Sequence, residues 1–340
     1  MAVLGLDVGG ANLKAATTEW WVRSRRFALW KRPDRLADEL RRLVEGASFD
    51  RLAVTMTGEL CDVFADKAEG VDRILDAVEE AFEDAGDVLV WQTTGKFVPP
   101  DAARKHAWRT ASANWLAAAT LAARLAPEGP ALFIDVGSTT TDIVAIDDGK
   151  PTPQGRTDPD RLACGELVYQ GIRRTPVCAI LSEACVDERD YSIMNEVFAT
   201  SLDAHLVLEN VEEDESADDT ADGRPATIPC AVGRLARMIG SDRSRFTLDH
   251  ARQLAEEVVG AQLNAILGRI DLVFEDAGFE KIESVVAAGE GEKLVEKIVA
   301  EHELLVDARL VRFSEELNPD LSRAACAYAV AVLAEKHPNR

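Results

Sequence analysis

The sequence lacks several features that define whole classes of protein. No apolar run reaches ~18 residues, the length of a membrane-spanning helix, so we expect no transmembrane segment and no membrane partner. An acid at position 7 and the absence of a basic start argue against a signal peptide, which predicts a cytoplasmic protein. The 6 cysteines form no CxxC pair, which favours reduced and mostly buried thiols.

Positive charge is also scarce. The chain has 38 Lys and Arg against 60 Asp and Glu, a formal net charge of −22. Such a surface repels nucleic acid at long range, so we expect no nucleic-acid partner. A bound polyanion would have to be held locally, by backbone N–H groups, a metal ion or a few placed cations.

The length of 340 residues suggests two domains, at ~100–200 residues each. Strand-like and helix-like segments alternate along the chain, which predicts an α/β fold. Residues 127–130, rich in proline and glycine, are the clearest linker. We therefore expect a first domain over 1–128 and a second over 129–340. The second would carry an acidic insertion at about 209–223 and a closing C-terminal helix.

The apolar spacing predicts the elements in more detail. Buried strands are expected over 3–8, 52–56, 88–91, 131–135, 141–146 and 282–288, with two further strands within 13–30. Helices are expected over 33–45, 66–85, 99–126, most of 164–208, 228–239, 248–276, 293–303 and 321–336. Residues 209–222 hold eight acids and no base, so they are expected to form a mobile solvated loop or a lid over a cleft.

Two segments of the chain echo each other. Residues 3–10 and 131–138 are each an apolar strand that ends in an aspartate and is followed by a glycine turn and polar residues. A single copy would fit a plain hairpin turn with a capping aspartate. Two copies, each opening a domain, favour a shared function in ligand binding.

We interpret the two turns as a clamp for a diphosphate. Glycines let the backbone N–H groups approach an anion, and Lys14 supplies a point charge. Asp7 and Asp135 stand at strand ends, where they could hold Mg²⁺ against the diphosphate. The other predicted ligand-binding positions of the clamp are Gly9, Gly10, Asn12, Gly137, Ser138, Thr139 and Thr140.

A third glycine segment lies near the C-terminus. Residues 285–292 read as a strand followed by a turn with Gly289 and Gly291 and then a helix. The third glycine of a dinucleotide fingerprint is missing, so a Rossmann site is disfavoured. The helix start suits an adenosine or another anionic group, and a plain strand–helix turn is the alternative.

In this order, the three segments resemble the actin, sugar kinase and Hsp70 superfamily, which has two RNase H-like domains facing a central cleft. More narrowly, the sequence resembles the hydantoinase/oxoprolinase-like family, in the branch linked to methanofuran biosynthesis and tetrahydromethanopterin-dependent one-carbon metabolism. The narrower resemblance rests on residues 5–14, 54–62, 67–71, 112–115, 135–142, 165–169, 174–178 and 219–226.

This resemblance implies a transferase. The expected reaction condenses 5-(aminomethyl)-3-furanmethanol diphosphate with the phenol of γ-glutamyltyramine, forms an aryl ether and releases pyrophosphate, with Mg²⁺ as cofactor. The broader superfamily usually spends ATP, so an ATP-dependent kinase or ATPase on the same fold is the alternative. A non-catalytic nucleotide-binding scaffold is a third hypothesis.

The reaction requires a base for the phenol proton, whose unperturbed pKa is ~10. Glu59, Asp142 and Glu166 are the candidates, and the sequence does not rank them. The predicted substrate-binding residues have structural alternatives. Trp115 could be a core residue, Arg173 and Arg174 a solvated pair, and Arg224 part of a disordered loop. The predicted substrate-binding residues are Asn114, Trp115, Arg173, Arg174, Thr175 and Arg224.

Overall fold

Two mixed β-sheets organise the protein, and the computed structural model describes residues 2–83 and 86–337. The first sheet has the strand order β3-β2-β1-β4-β5-β6. Strands β1, β2 and β3 form an antiparallel meander, and β4 and β5 run parallel to β1. Its strands are β1 Val3–Val8, β2 Asn12–Thr17, β3 Val22–Arg26, β4 Arg51–Met56, β5 Val88–Gln92 and β6 Lys96–Val98.

The second sheet repeats this topology. Its order is β10-β8-β7-β13-β14, with β9 paired to β8, and β13 and β14 lie parallel to β7 and each other. Strands β11 Glu183–Val186 and β12 Arg189–Ser192 form a separate hairpin. The sheet contains β7 Pro130–Val136, β8 Thr141–Asp147, β9 Lys150–Pro151, β10 Leu167–Val168, β13 Ser284–Ala288 and β14 Arg309–Arg312.

Fourteen helices are present among the described residues, besides short 3₁₀ turns at Leu29–Lys31 and Pro33–Arg35. In the first half they are α1 Leu36–Leu43, α2 Lys67–Ala81, α3 Pro100–Lys105, α4 Ala107–Thr110, α5 Asn114–Ala122, α6 Asp158–Cys164 and α7 Val177–Ile180. In the second they are α8 Ser201–Val207, α9 Ile228–Met238, α10 Leu248–Ala277, α11 Glu292–Glu301, α12 Phe313–Glu316, α13 Pro319–Arg323 and α14 Ala325–Glu335. None of these helices combines the length and apolarity required to cross a bilayer.

Alternation along the strands divides the interior into three layers. On β1, Leu4 and Leu6 face outward, against α1 and α2. On β7, Leu132 and Ile134 face outward, against α8 to α11. The inner faces of both sheets enclose a third layer, which contains α5 and α14. Because side chains alternate in a strand, Val3, Gly5 and Asp7 of β1 all face this shared layer.

The shared layer is thin because it is built from small residues. Helix α14 packs on β1, and a Cβ atom at Gly5 would lie only 1.9 Å from the carbonyl oxygen of Ala327. Five alanines of α14 are buried, and α14 also packs against α5. Helix α14 thus joins the first sheet although it follows the second in sequence. The predicted boundary between residues 128 and 129 stays a prediction.

The two-sheet α/β architecture predicted from the sequence is confirmed, but several helix predictions are wrong. Residues 99–126 form three helices. The first break is at His106, and the second is at Ala111 and Ser112, where Ser112 has φ +47° and its hydroxyl reaches the carboxylates of Glu59 and Asp158. Residues 164–208 are mostly strand and loop, with only α7 and α8 helical. The C-terminal helix is interrupted at Ala324. Helix α2 ends at Ala81, and positions 84 and 85 of its predicted range lie outside the described residues.

The cysteine prediction holds in part. All six cysteines are free thiols, but only Cys326 is buried and Cys185 is exposed. The acidic segment contains no helix or strand. Its Asp214 and Asp222 form ion pairs with Arg26 and Arg234, at 2.9 and 3.0 Å.

Substitution of Gly5 tests the close packing of α14. We expect Gly5→Ala to lower the free energy of unfolding by about 1–3 kcal/mol, because the new methyl group must displace backbone atoms of α14. Gly260→Ala, inside α10 with no atom within 4 Å, is the matched control and should be neutral or slightly stabilising. Equal urea-denaturation curves for both variants would contradict the packing argument.

Candidate active site

The two glycine turns lie on the same cleft between the sheets, as the sequence predicted. The turns have the same geometry, since the N–H of Gly9 donates to the carbonyl of Asn12 and that of Gly137 to Thr140, at 3.0 and 2.9 Å. The cleft has a volume of about 630 Å³. Predicted clamp residues that line it are Asp7, Gly9, Gly10, Asn12, Lys14, Asp135, Gly137, Ser138, Thr139, Thr140 and Gly289.

Strand register explains how charged side chains reach the cleft. Asp7 pairs with Lys14 across β1 and β2, and Asp135 pairs with Asp142 across β7 and β8. Directly opposed residues of antiparallel strands point to the same face. Both pairs therefore project from the inner faces at the ends of the first strands. The cleft thus brings together three carboxylates and the ammonium group of Lys14.

The carboxylates of the cleft are strongly perturbed. Burial raises the pKa of Asp7 to about 6, against the opposing effect of Lys14. Burial, together with the charge of Asp142, raises the pKa of Asp135 to about 7. The pKa of Asp142 is also raised by burial, although Arg161 counteracts it. Three acids close together in a low-dielectric site repel one another, so the cleft favours a cationic or proton-bearing ligand.

Lys14 is held in place from the far side of the cleft. Its Nζ atom donates to the carbonyl oxygen of Arg323 at 2.6 Å. Arg323 is the last residue of α13, and Ser322 and Arg323 also line the cleft. This bond keeps the ammonium group beside the first glycine turn, although only one of its three protons is used.

The third glycine segment supports Asp135. Gly289 has φ +90°, and a Cβ atom there would lie 2.4 Å from Oδ1 of Asp135. Gly291 lies outside the main cleft, where its N–H donates to the carbonyl of Val136 at 3.0 Å. The two glycines that the sequence predicted to bind a ligand thus have different positions. Gly289 faces the cleft, whereas Gly291 fixes the start of α11.

Arg161, which the sequence analysis did not single out, binds the carboxylate of Asp142. Its guanidinium group is fully buried and lies 2.7 Å from Asp142 and 3.9 Å from the ring centre of Trp115. It also donates to the carbonyl oxygen of Glu166 at 2.8 Å. Trp115 is only 2% exposed, so it is mainly a core residue with one edge on the cleft. No sequence motif marks Arg161, because Asp142 lies on β8 and Trp115 on α5, both distant in the sequence.

Of the three candidate bases, only Asp142 lines the cleft. Glu166 accepts hydrogen bonds from the N–H groups of Gln154 and Gly155, at 2.7 and 3.1 Å, and so anchors a loop away from the cleft. Burial raises the pKa of Glu59, which lies behind Ser112 and is 1% exposed. Asp142 is therefore the candidate base that faces the cleft.

Glu59 belongs to a polar cluster that extends inward from the wall of the cleft, where Ser112 and Asp158 line it. The Ser112 hydroxyl lies 2.8 Å from a carboxylate oxygen of both Glu59 and Asp158. Lys67 completes the cluster at 2.7 Å from Asp158 and 3.6 Å from Glu59. Lys67 begins α2 and Asp158 begins α6, so this cluster ties the first sheet's helices to the second's.

The predicted substrate-binding residues separate into two groups. The predicted helix over 99–126 placed Asn114 in its middle, but Asn114 is the first residue of α5. It lines the cleft together with Trp115 and Arg174. Thr175 is buried and accepts a hydrogen bond from the N–H of Gly171 at 3.0 Å. Arg224 has a side chain that is 63% exposed and lines neither the main cleft nor the adjoining one.

The cleft continues into a second space of about 1020 Å³. Arg174 and Trp30 line both spaces, and the guanidinium group lies 5.4 Å from the indole ring centre. Arg173 lines the second space, where it is 3.7 Å from Glu290. The acidic segment closes the outer side, since Arg26 on β3 pairs with Asp214 and Asp219 at 2.9 and 3.6 Å. This arrangement fits the predicted position of a lid, whereas the predicted mobility stays a prediction.

The described residues contain no group of three or more His, Cys, Asp or Glu side chains arranged to hold a metal ion by themselves. Mg²⁺ is commonly bound by one or two carboxylates, with water and phosphate oxygens as the other ligands. Asp7 and Asp135 meet this smaller requirement. The buried Oδ1 atom of Asp7 has no hydrogen-bond partner, which suits a ligand at that position.

The protein thus has an α/β fold in which two mixed β-sheets place their glycine turns on one cleft. The chain belongs to the hydantoinase/oxoprolinase family, whose model matches residues 50–337. It is 31% identical, over 99% of both chains, to (4-{4-[2-(gamma-L-glutamylamino)ethyl]phenoxymethyl}furan-2-yl)methanamine synthase of Methanocaldococcus jannaschii. The enzyme of the same name from Methanococcus vannielii is 29% identical over 61% of this chain and 92% of its own.

Solved structures with a similar fold are more distant. Ta0583, an archaeal actin homolog, has 15% identity and a TM-score of 0.46, with coverage of 99% of this chain and 100% of its own. A ROK family glucokinase from Streptomyces griseus has 12% identity and a TM-score of 0.47, with the same coverage.

The raised pKa of Asp7 predicts how the free energy of unfolding depends on pH. Because the folded protein binds this proton more tightly than the unfolded chain, its contribution to stability is complete below pH 3.8 and is lost as the pH rises through about 6. Asp7→Asn removes this loss, so at pH 7.5 the variant should be more stable than the wild type by up to roughly 3 kcal/mol, at 1.36 kcal/mol per unit.

Urea denaturation at pH 4 and pH 7.5 in EDTA measures this difference, which should shrink towards zero at pH 4. Asp249→Asn, whose side chain is 83% exposed, is the control and should change neither value. A variant at position 7 that is equally stable or less stable than wild type at pH 7.5 would refute the electrostatic account.

Proposed function

We propose that this protein is a transferase that forms an aryl ether in methanofuran biosynthesis. It condenses 5-(aminomethyl)-3-furanmethanol diphosphate with γ-glutamyltyramine and releases pyrophosphate. The observation that carries this proposal is the end-to-end similarity to a synthase whose name describes this ether, with both glycine turns on one cleft. A diphosphate leaving group explains why a strongly acidic chain presents phosphate loops.

The protein binds the diphosphate through its two turns. Backbone N–H groups near Gly10 and Gly137 and the hydroxyls of Ser138, Thr139 and Thr140 face its oxygens, and Lys14 adds one positive charge. Asp7 and Asp135 would hold Mg²⁺. When bound, the metal supplies charge neutralisation for the departing diphosphate. These donors stabilise the leaving group most strongly when its negative charge is greatest, as the transition state requires.

The bond changes balance without a further reactant. The bond between the furan methylene carbon and the diphosphate oxygen breaks, and its electron pair leaves with pyrophosphate. The phenol oxygen forms a new bond to the same carbon, and its proton passes to Asp142. Arg161 holds the Asp142 carboxylate toward the cleft at 2.7 Å. Asp142 is preferred over Glu59 and Glu166 because it is the one of the three that lines the cleft.

The γ-glutamyl end extends from the main cleft into the second space. Arg173 and Arg174 lie at this junction and suit a carboxylate by charge and by their several donors. Trp30, next to Arg174, presents an aromatic surface to both spaces. The ion pairs between Arg26 and the acidic segment then close the second space over the substrate.

The proposal is tested by direct assay of purified protein with both substrates and Mg²⁺, following the ether and pyrophosphate by mass spectrometry. We expect the wild type to form both products, and Asp7→Asn to lose on the order of 10²-fold or more in turnover while remaining folded. Asp249→Asn is the control and should retain turnover. Phosphorylated product or ADP formed from ATP, without ether, would instead support a kinase or ATPase.

Lys14→Ala should separate the two substrates. Loss of one charged hydrogen-bond donor is worth about 1.5–3 kcal/mol, so KM for the diphosphate substrate should rise roughly 10- to 100-fold. KM for γ-glutamyltyramine should change little. The matched control is Lys281→Ala, at a side chain that is 72% exposed and paired with Glu283. An equal rise in both KM values would show that Lys14 acts through the fold.

A further inference from the structure

A short segment supports the second glycine turn from behind. The N–H groups of Ile172, Arg173 and Arg174 donate to the carbonyl oxygens of Gly137 and Ser138, at 2.9 to 3.1 Å. Contact is so close at residue 171 that a Cβ atom there would lie 2.5 Å from the backbone nitrogen of Thr139. The position of residues 137–140 therefore depends on the position of this segment.

Gly171 is in turn fixed by three buried side chains. Its carbonyl oxygen accepts hydrogen bonds from Nε2 of Gln262 at 2.9 Å and from Oγ of Ser201 at 2.8 Å. Its N–H donates to Oγ1 of Thr175 at 3.0 Å. Gln262 and Ser201 have no exposed surface. A fully buried amide in the middle of α10 is unfavourable unless it is bonded, so its bonds indicate a specific role.

His205 completes the chain of hydrogen bonds. Its Nε2 lies 2.9 Å from Oε1 of Gln262, and its Nδ1 lies 3.1 Å from Nδ2 of Asn210. Because the amide nitrogen of Gln262 donates to Gly171, its oxygen must accept from Nε2–H, and Nδ1 accepts from Asn210. This pattern requires a neutral imidazole, and burial lowers the pKa of His205 to about 4.

We propose that Gln262, held by His205, is a positioning residue that sets the second glycine turn for binding the diphosphate. Neither side chain lines the main cleft, so they act only through Gly171. The inference rests on the proposed function for the identity of the anion, but not for the effect on the turn. A preorganised oxyanion site depends on such support, because small displacements of its donors weaken binding.

Hydrogen exchange in the ligand-free protein tests the support directly. Gln262→Met keeps the side-chain volume and removes both hydrogen bonds. We expect the hydrogen-bonded amides of Gly137 and of residues 172–174 to exchange roughly fivefold faster or more, the factor for one lost hydrogen bond, while the amide of Gly9 does not change. The matched control is Gln253→Met on the same helix, which loses a bond to the N–H of Asp187 in the remote β11–β12 hairpin.

Binding measurements supply the second readout. In the presence of Mg²⁺, Kd for pyrophosphate should rise at least about fivefold in Gln262→Met, by the same lost hydrogen bond, and stay constant in Gln253→Met. Ser201→Ala, a smaller change, should shift both readouts in the same direction and keeps the inference testable if Gln262→Met does not fold. Unchanged exchange at Gly137 and at residues 172–174 in the folded variants overturns the inference. If exchange accelerates in the variants but the wild type forms no ether, the inference about Gln262 is supported and the proposed function is refuted.

Discussion

The close approach of two sheet faces through a layer of small side chains is the constraint on which this protein depends. Gly5 and the alanines of α14 let a helix lie directly on β1, and α5 packs against that helix. Larger residues would push the sheets apart. The same inner faces carry Asp7 and Asp135, so the thickness of this layer also sets the width of the cleft.

Charge at the cleft is arranged for a ligand and not for stability. Asp7, Asp135 and Asp142 converge where burial and mutual repulsion raise their pKa values, with Lys14 and Arg161 as the opposing charges. Functional sites commonly retain such unfavourable groups. A metal ion and a diphosphate would relieve the repulsion on one side and occupy the turn donors on the other. In the proposed complex, the two ligands would complete the charge balance of the site.

Residues behind the cleft hold its lining residues in place. Arg161 fixes Asp142 and contacts Trp115, while Gly289 leaves room for Asp135. Behind the second turn, Gln262 and His205 form a buried polar chain. Each of these residues is far in sequence from the group that it holds. They convert a flexible polar turn into a site with fixed geometry.

The sequence by itself determined the α/β class, the repeated strand–turn unit, the family and the residues at the two turns, because these follow from local alternation and from glycine at fixed offsets. It could not identify Arg161 or Gln262, or rank Asp142 above Glu59 and Glu166. Local propensity also misled it over residues 99–126, where alanines favour a continuous helix. Tertiary structure decided these points, because burial and hydrogen-bond partners distant in the chain determine which carboxylate faces the cleft and where a helix must break.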